Sequence, residues 1–329
     1  MDAKLTDRHC RIVPAGPAAL AEAKAALLAG ETVAIPTETV YGLAADATNG
    51  EAVARIFEAK QRPSFNPLIC HVTDIAMAEG FAIFDPLSRR LAERFWPGAL
   101  TLVLPLKEGH PIHPLVTAGL DTVAVRAPKG FGAELIGAVG RPLAAPSANR
   151  SGRISPTSAQ AVADSLGDAA PLVIDGGPTQ VGVESTIVRV ADGEIHLLRP
   201  GGVAAEDIEA VAGRKLRRAA AGSAVQAPGM LASHYAPRAA VRLNADHVEP
   251  GEALLGFGPK RIAGADRAAA VLVLSETGDL VEAAANLFDY LNRLDACGAD
   301  RIAVEPIPAG SLGEAINDRL ARAAAPREG

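Results

Sequence analysis

With 329 residues, 49% of them hydrophobic, the chain can bury a sizeable core and is long enough for two domains. A formal net charge of -6 excludes a broadly cationic nucleic-acid binder and leaves any nucleotide to be met by a local basic pocket. Cys10, Cys70 and Cys297 stand far apart without metal-ligand spacing, so neither a disulfide framework nor a zinc site is expected, and a reducing cytoplasm fits.

Residues 1–11 alternate charge with short apolar pieces, and no apolar run approaches the roughly 20 residues of a membrane span, so neither export nor insertion is expected. Pro17–Leu28 is Ala-rich, with Leu20, Leu27 and Leu28 on one side and Gly30 where a helix would stop. It leads into an apolar strand at 32–35, which Pro36 ends by fixing φ and removing a donor. Thr37, Glu38 and Thr39 then crowd two hydroxyls and a carboxylate onto the strand end, where open α/β sheets bind ligands; an ordinary polar turn is the alternative. A helix is expected over Gly50–Lys60, with Asn49 as N-cap and Pro63 just beyond. Lys60 shares its apolar face with Val53, Ile56 and Phe57, and so either points inward or snorkels to water. Arg62, Ser64 and Asn66 follow in a Pro-bounded loop, and 68–72 reads as a strand carrying His71.

Asp85-Pro86 opens another helix and Trp96-Pro97-Gly98 closes it. The run 100–106 is apolar throughout, as in a strand covered on both faces, whereas Thr122–Arg126 alternates and puts Thr122, Ala124 and Arg126 on one face. Arg126 then faces a ligand or, on an edge strand, solvent. Residues 143–152 repeat the layout of the first strand end: an apolar run, Pro146, then Ser147 and Asn149. Ser155-Pro156-Thr157 supplies the cap and first turn of a helix to about Leu166, whose free N–H groups either meet a phosphate or are capped by Ser155. Strands at 172–174, 185–190 and 196–198 follow, the last entering Arg199-Pro200-Gly201-Gly202, and the first domain is placed at 1–212.

Residues 213–240 read as a linker, with a basic cluster at Arg214, Lys215, Arg217 and Arg218. Within it, Met230, His234 and Tyr235 are out of character for a spacer, so something holds this segment. Strands at 271–274 and 302–305 alternate with helices at 280–297 and Leu312–Ala324, giving a small Rossmann-like α/β domain at 241–329. There is no GxxxxGK[ST] loop, and Gly256-Phe257-Gly258 lacks the third glycine of a dinucleotide fingerprint. The candidate site residues are therefore Lys60, Arg62, Asn66, Thr122, Arg126, Ser147, Asn149 and Arg199, with no matching set of clustered acids. Four cations aimed at one crevice suit a polyanion, and the residues alone reach an α/β anion-binding enzyme.

At this point PTETVYGLAADA, Lys60-x-Arg62 with Asn66-Pro67-Leu68, WPGALTLVL, Thr122–Arg126, Ser147-x-Asn149, VESTIV and the linker HYAP together resemble the YrdC-type family of threonylcarbamoyl-AMP synthases in its two-domain form. The resemblance implies a twisted mixed-sheet domain with a concave basic cavity that joins L-threonine, bicarbonate and ATP, with Mg2+, into L-threonylcarbamoyladenylate and pyrophosphate. The product would pass to a tRNA threonylcarbamoyltransferase for modification beside the anticodon. By resemblance, Arg62, Asn66, Thr122, Asn149, Thr157, Arg199 and Tyr235 would hold ATP. Thr39, His71, Arg126, Ser147 and Ser185 would hold threonine, and Lys60, Arg62, Ser147 and Asn149 would form the shared catalytic core. No protein nucleophile or dedicated metal ligand is implied, and Glu38 and Asp46 read as structural. The linker is expected to act as a lid, hinged at Pro228 and Gly229, that excludes water from labile intermediates. A carbamoyltransferase of the hydrogenase-maturation type and a non-enzymatic RNA-binding module are the alternatives.

Overall fold

A computed structural model describes residues 10–218, 227–228 and 234–326; the expectation for residues 1–9, and Gly229 and Met230 of the linker, lie outside the described residues. β1 (Arg11–Pro14), β2 (Val33–Ile35), β3 (Gly42–Asp46), β4 (Ile69–His71), β5 (Leu100–Pro105), β6 (Thr122–Arg126), β7 (Leu143–Ala144), β8 (Leu172–Asp175), β9 (Thr186–Ala191), β10 (Glu194–Arg199) and β11 (Leu216–Arg218) build one sheet. Its order is β1-β8-β2-β3-β7-β4-β6-β5-β9-β10-β11, with parallel and antiparallel neighbours mixed. One face packs on the helices Gly50–Lys60 and Pro86–Phe95 through Leu43, Ile56, Leu91 and Val125. Another apolar cluster joins Leu27 and Ile136, from the helices Pro17–Leu28 and Phe131–Val139, to Ile35 and Ile174.

Register brings distant segments of the chain to one place. β4 and β6 run parallel with His71 opposite Arg126, and a bridge sets Ser147 beside Gly42. β6 lies between β4 and β5, so Arg126 is on an interior strand and the edge-strand alternative fails.

The second sheet is parallel, in the order β12-β15-β13-β14, from β12 (Ala240–Arg242), β13 (Ala253–Gly256), β14 (Val271–Val273) and β15 (Arg301–Val304). The helices Leu280–Ala296 and Leu312–Ala324 pack on it, and their apolar core runs on into the first domain through Val40, Ile154 and Val183. Leu216–Arg218 departs from the reading of this stretch as linker: buried Leu216 pairs alongside Ile195, and the segment adds a strand to the first sheet.

The two domains also approach backbone to backbone. Gly182 has φ +76, and a Cβ there would lie 2.3 Å from the Ala284 carbonyl oxygen on the helix Leu280–Ala296. Gly182→Ala is therefore expected to destabilise the full chain by about 2 kcal/mol or more, from overpacking together with left-handed backbone strain. Urea unfolding checks this, and an unchanged midpoint would mean that the contact is loose.

Candidate active site

The Thr37–Thr39 turn is held by its own hydroxyls: Thr37 Oγ1 donates to the Val40 carbonyl and lies 3.0 Å from Thr39 Oγ1. Thr39 in turn accepts from Arg126 Nη1 at 2.9 Å, while Arg126 Nε donates to Gly98 O at 3.0 Å. Arg126 Nη2 stands 2.6 Å from Glu38 Oε1 as an ion pair without aligned hydrogen-bond geometry. Guanidinium has five donors, so these contacts leave others free for a carboxylate.

Lys60 is 1% exposed, which rules out snorkelling. Its Nζ donates to the backbone carbonyls of Ser147 and Asn149 and fixes that loop from beneath. Burial, and then the nearby Arg62, push its pKa well down. Arg62 donates to the carbonyls of Asn66 at 3.1 Å and Pro67 at 2.8 Å, and burial lowers it to about 10. Arg199 Nη2 donates to both Ser185 O, at 2.8 Å, and Ser185 Oγ, at 3.2 Å, and Nη1 reaches Pro228 O at 3.4 Å.

These groups surround a cavity of about 50 Å3 lined by Thr39, Arg62, His71, Arg126, Ser147, Glu184, Ser185, Arg199, Pro228, His234 and Tyr235, among others. The other residues predicted from the sequence do not line it. Lys60 and Asn149 support the loop, the Asn149 amide donating to the carbonyls of Arg150 and Arg153 at 2.8 Å. Asn66, Thr122 and Thr157 are buried but do not line the cavity. Both amide atoms of Asn66 lack a hydrogen-bond partner. Ser158 caps the helix Ala159–Leu166, contrary to the assignment of Ser155, because the Ser155 hydroxyl donates to Glu184 Oε1.

Glu184 is a residue that the sequence reading did not single out: one acid joins the cations at the cavity, short of the matching set of clustered acids that was not expected. Burial alone would raise its carboxyl, but Arg319, and then Arg199, outweigh that and hold it at about 2. Arg319, from the last helix, donates from Nε to Glu184 Oε2 at 2.8 Å and has no exposed surface. A signal did exist: Arg319 shares the apolar face of Ile316, Leu320 and Ala323, as Lys60 shares that of its own helix. Tyr235, stacked on Phe288 with ring centroids 5.4 Å apart, closes the cavity with His234.

A cavity walled by Arg62, Arg126 and Arg199, with hydroxyls between them, defines an enzyme of the mixed α/β anion-binding class. Residues 25–201 match the Sua5/YciO/YrdC family model, described as telomere recombination, and residues 203–325 match the C-terminal domain of threonylcarbamoyl-AMP synthase. The chain is 43% identical over 326 residues to the Bacillus subtilis threonylcarbamoyl-AMP synthase, covering 94% of this chain and 93% of that one. It is also 43% identical to the Pyrococcus abyssi threonylcarbamoyl-AMP synthase, over 89% of this chain and 90% of the relative. The fold is similar to the crystal structure of P. abyssi Sua5 complexed with L-threonine, with a TM-score of 0.83 at 37% identity over 95% of this chain and 96% of that one. The chain belongs to the Sua5/YciO/YrdC family, in the two-domain form of the threonylcarbamoyl-AMP synthases.

Burial, then Arg126, pushes His71 down to about 3, and burial, with Arg62 and Lys60 adding to it, does the same to His234. Both imidazoles are neutral near pH 7. Because the unfolded chain takes up these protons first, their contribution to stability is full above their ordinary 6.5 and is lost as pH falls toward 3. Glu184 adds a loss between its ordinary 4.5 and about 2. The urea midpoint should therefore decline from pH 6.5 downward, less steeply in His71→Asn; a flat midpoint between pH 6.5 and 4.5 would contradict these assignments.

Proposed function

We propose that this chain is a threonylcarbamoyl-AMP synthase that converts L-threonine, bicarbonate and ATP to L-threonylcarbamoyladenylate and pyrophosphate. The observation that carries this reading is the convergence of Arg62, Arg126 and Arg199 on one cavity that also holds Ser147 and Ser185. Arg126, beside Thr39 and His71, suits the amino-acid carboxylate, and Arg62 and Arg199 suit the phosphates. Bicarbonate supplies CO2 and hydroxide; the threonine amine adds the CO2 to give a carbamate, and its proton joins the hydroxide as water. The carbamate oxygen forms a bond to the α-phosphorus as the bond to pyrophosphate breaks. The chain contributes positioning and charge stabilisation, with no covalent intermediate on the protein. Glu38 and Glu184, the carboxylates nearest the cavity, are committed to Arg126 and Arg319, and no group of three metal-ligating side chains occurs among the described residues. Mg2+ is accordingly read as part of the Mg–ATP substrate.

About 50 Å3 lies well below the roughly 300 Å3 at which small-molecule pockets begin, so the cavity must widen to take the substrates. Pro228, His234 and Tyr235, from the expected lid, line the cavity, which supports a lid role. The product then serves a tRNA threonylcarbamoyltransferase in the cytoplasm. No described helix is long and apolar enough to cross a membrane.

The basic cluster that motivated an RNA-binding module is engaged locally: Lys215 pairs with Glu209, Arg217 with Glu194 and Arg218 with Glu314, while Arg214 donates to Gly193 O. The match of residues 203–325 to the synthase C-terminal domain disfavours the carbamoyltransferase.

Pyrophosphate release should require ATP, threonine and bicarbonate together; equal release without threonine would sink the assignment. Arg62→Ala should cost about 1.5 to 3 kcal/mol of transition-state stabilisation, roughly ten- to a hundredfold in rate, with little change in melting temperature. An unchanged rate with a lowered melting temperature would make Arg62 structural.

A further inference from the structure

We infer that Arg319, in the last helix of the C-terminal domain, is a positioning residue for the reaction in the other domain, setting the cavity wall through Glu184, Pro200 and Tyr235. This rests on the synthase reading. Besides its bond to Glu184, Arg319 donates from Nη1 to Pro200 O at 2.9 Å and to Asp318 Oδ2 at 2.6 Å, and its Cζ lies 5.2 Å from the Tyr235 ring centroid.

Apart from Asp318, its neighbour on the same helix, each contact reaches a cavity residue or the chain neighbour of one. Glu184 lines the cavity and precedes Ser185, and Pro200 follows Arg199, which itself grips Ser185. Tyr235 brings the lid. Its φ of 62 is a conformation that a bulky residue holds only when its surroundings over-determine it. The ring is fixed between Phe288 on one helix and the Arg319 guanidinium on the next. Glu184 is held on both oxygens, by Ser155 and Arg319, so its charge stays fixed at the wall. One planar fork thus aligns the Glu184-Ser185 turn, the end of β10 and the closing segment at once, which a lysine's point charge cannot reproduce. None of these contacts requires Arg319 to touch substrate, and it does not line the cavity.

The test compares Arg319→Met with the double variant Glu184→Gln/Arg319→Met in the full chain. It reads urea midpoint, affinity for a non-hydrolysable ATP analogue and for L-threonine by calorimetry, and ATP consumed per product formed. Arg319→Met should lower the midpoint, weaken analogue binding about tenfold and raise ATP consumed per product. The double variant removes both charges of the pair and should recover part of the midpoint, since Arg199 and Lys60 still lose Glu184 as a counter-charge, while keeping the binding and coupling defects. Recovery of affinity and coupling along with the midpoint would make Arg319 merely structural. Wild-type affinity in Arg319→Met, or failure of both variants to fold, would likewise overturn the inference. Calorimetry does not need turnover, so absence of pyrophosphate from the unaltered chain would sink the synthase reading alone.

Discussion

A guanidinium with no exposed surface, paired with a carboxylate on another domain, is a costly arrangement to bury. Desolvating both charges roughly cancels their attraction, so the pair adds little net stability against an apolar substitute, but removing one partner costs about 3 to 5 kcal/mol. That asymmetry makes the Arg319–Glu184 pair a constraint: the last helix must sit where Glu184 is, or a charge is stranded. The apolar core that runs from Leu287 and Ile316 to Val40 and Val183 follows the same docking. What would otherwise be two domains on a tether share one interior.

The cavity depends on this because its cations have few anions to neutralise them. Lys60, Arg62 and Arg199 are each anchored by backbone carbonyls, and Arg126 by one carbonyl and Thr39 besides Glu38. A carbonyl satisfies a donor without cancelling its charge, so position is fixed while the field survives for a polyanion. Glu184 is the counterweight, and Arg319 limits how much of its charge reaches the cavity. A triphosphate approaching three guanidinium groups meets donors that need little rearrangement.

Much of this was legible in residue order. The helix Gly50–Lys60 follows from Asn49 and the apolar spacing, which left Lys60 either inward or snorkelling until its burial decided; the strand Thr122–Arg126 follows from its alternation. Some strands were not legible: Gly42–Asp46 is built of Gly, Leu, Ala and Asp, with no β-branched residue, and is a strand because β2 and β7 flank it. Leu216–Arg218 reads as a polar tether, and only pairing with β10 makes it a strand. Glu184 and Arg319 are separated by 135 positions, and no local pattern couples them. Ser155 looked like a helix cap because a hydroxyl before proline is one locally; a buried carboxylate from elsewhere took it instead.

Native-state hydrogen exchange on the full chain tests the central claim, that the buried pair makes the two domains one cooperative unit. Amides of β9 and of the helix Leu312–Ala324 should exchange with the same opening free energy, and Glu184→Gln should lower both together. Exchange from the four-stranded sheet and its helices at a free energy well below that of the large sheet, unchanged by Glu184→Gln, would contradict it.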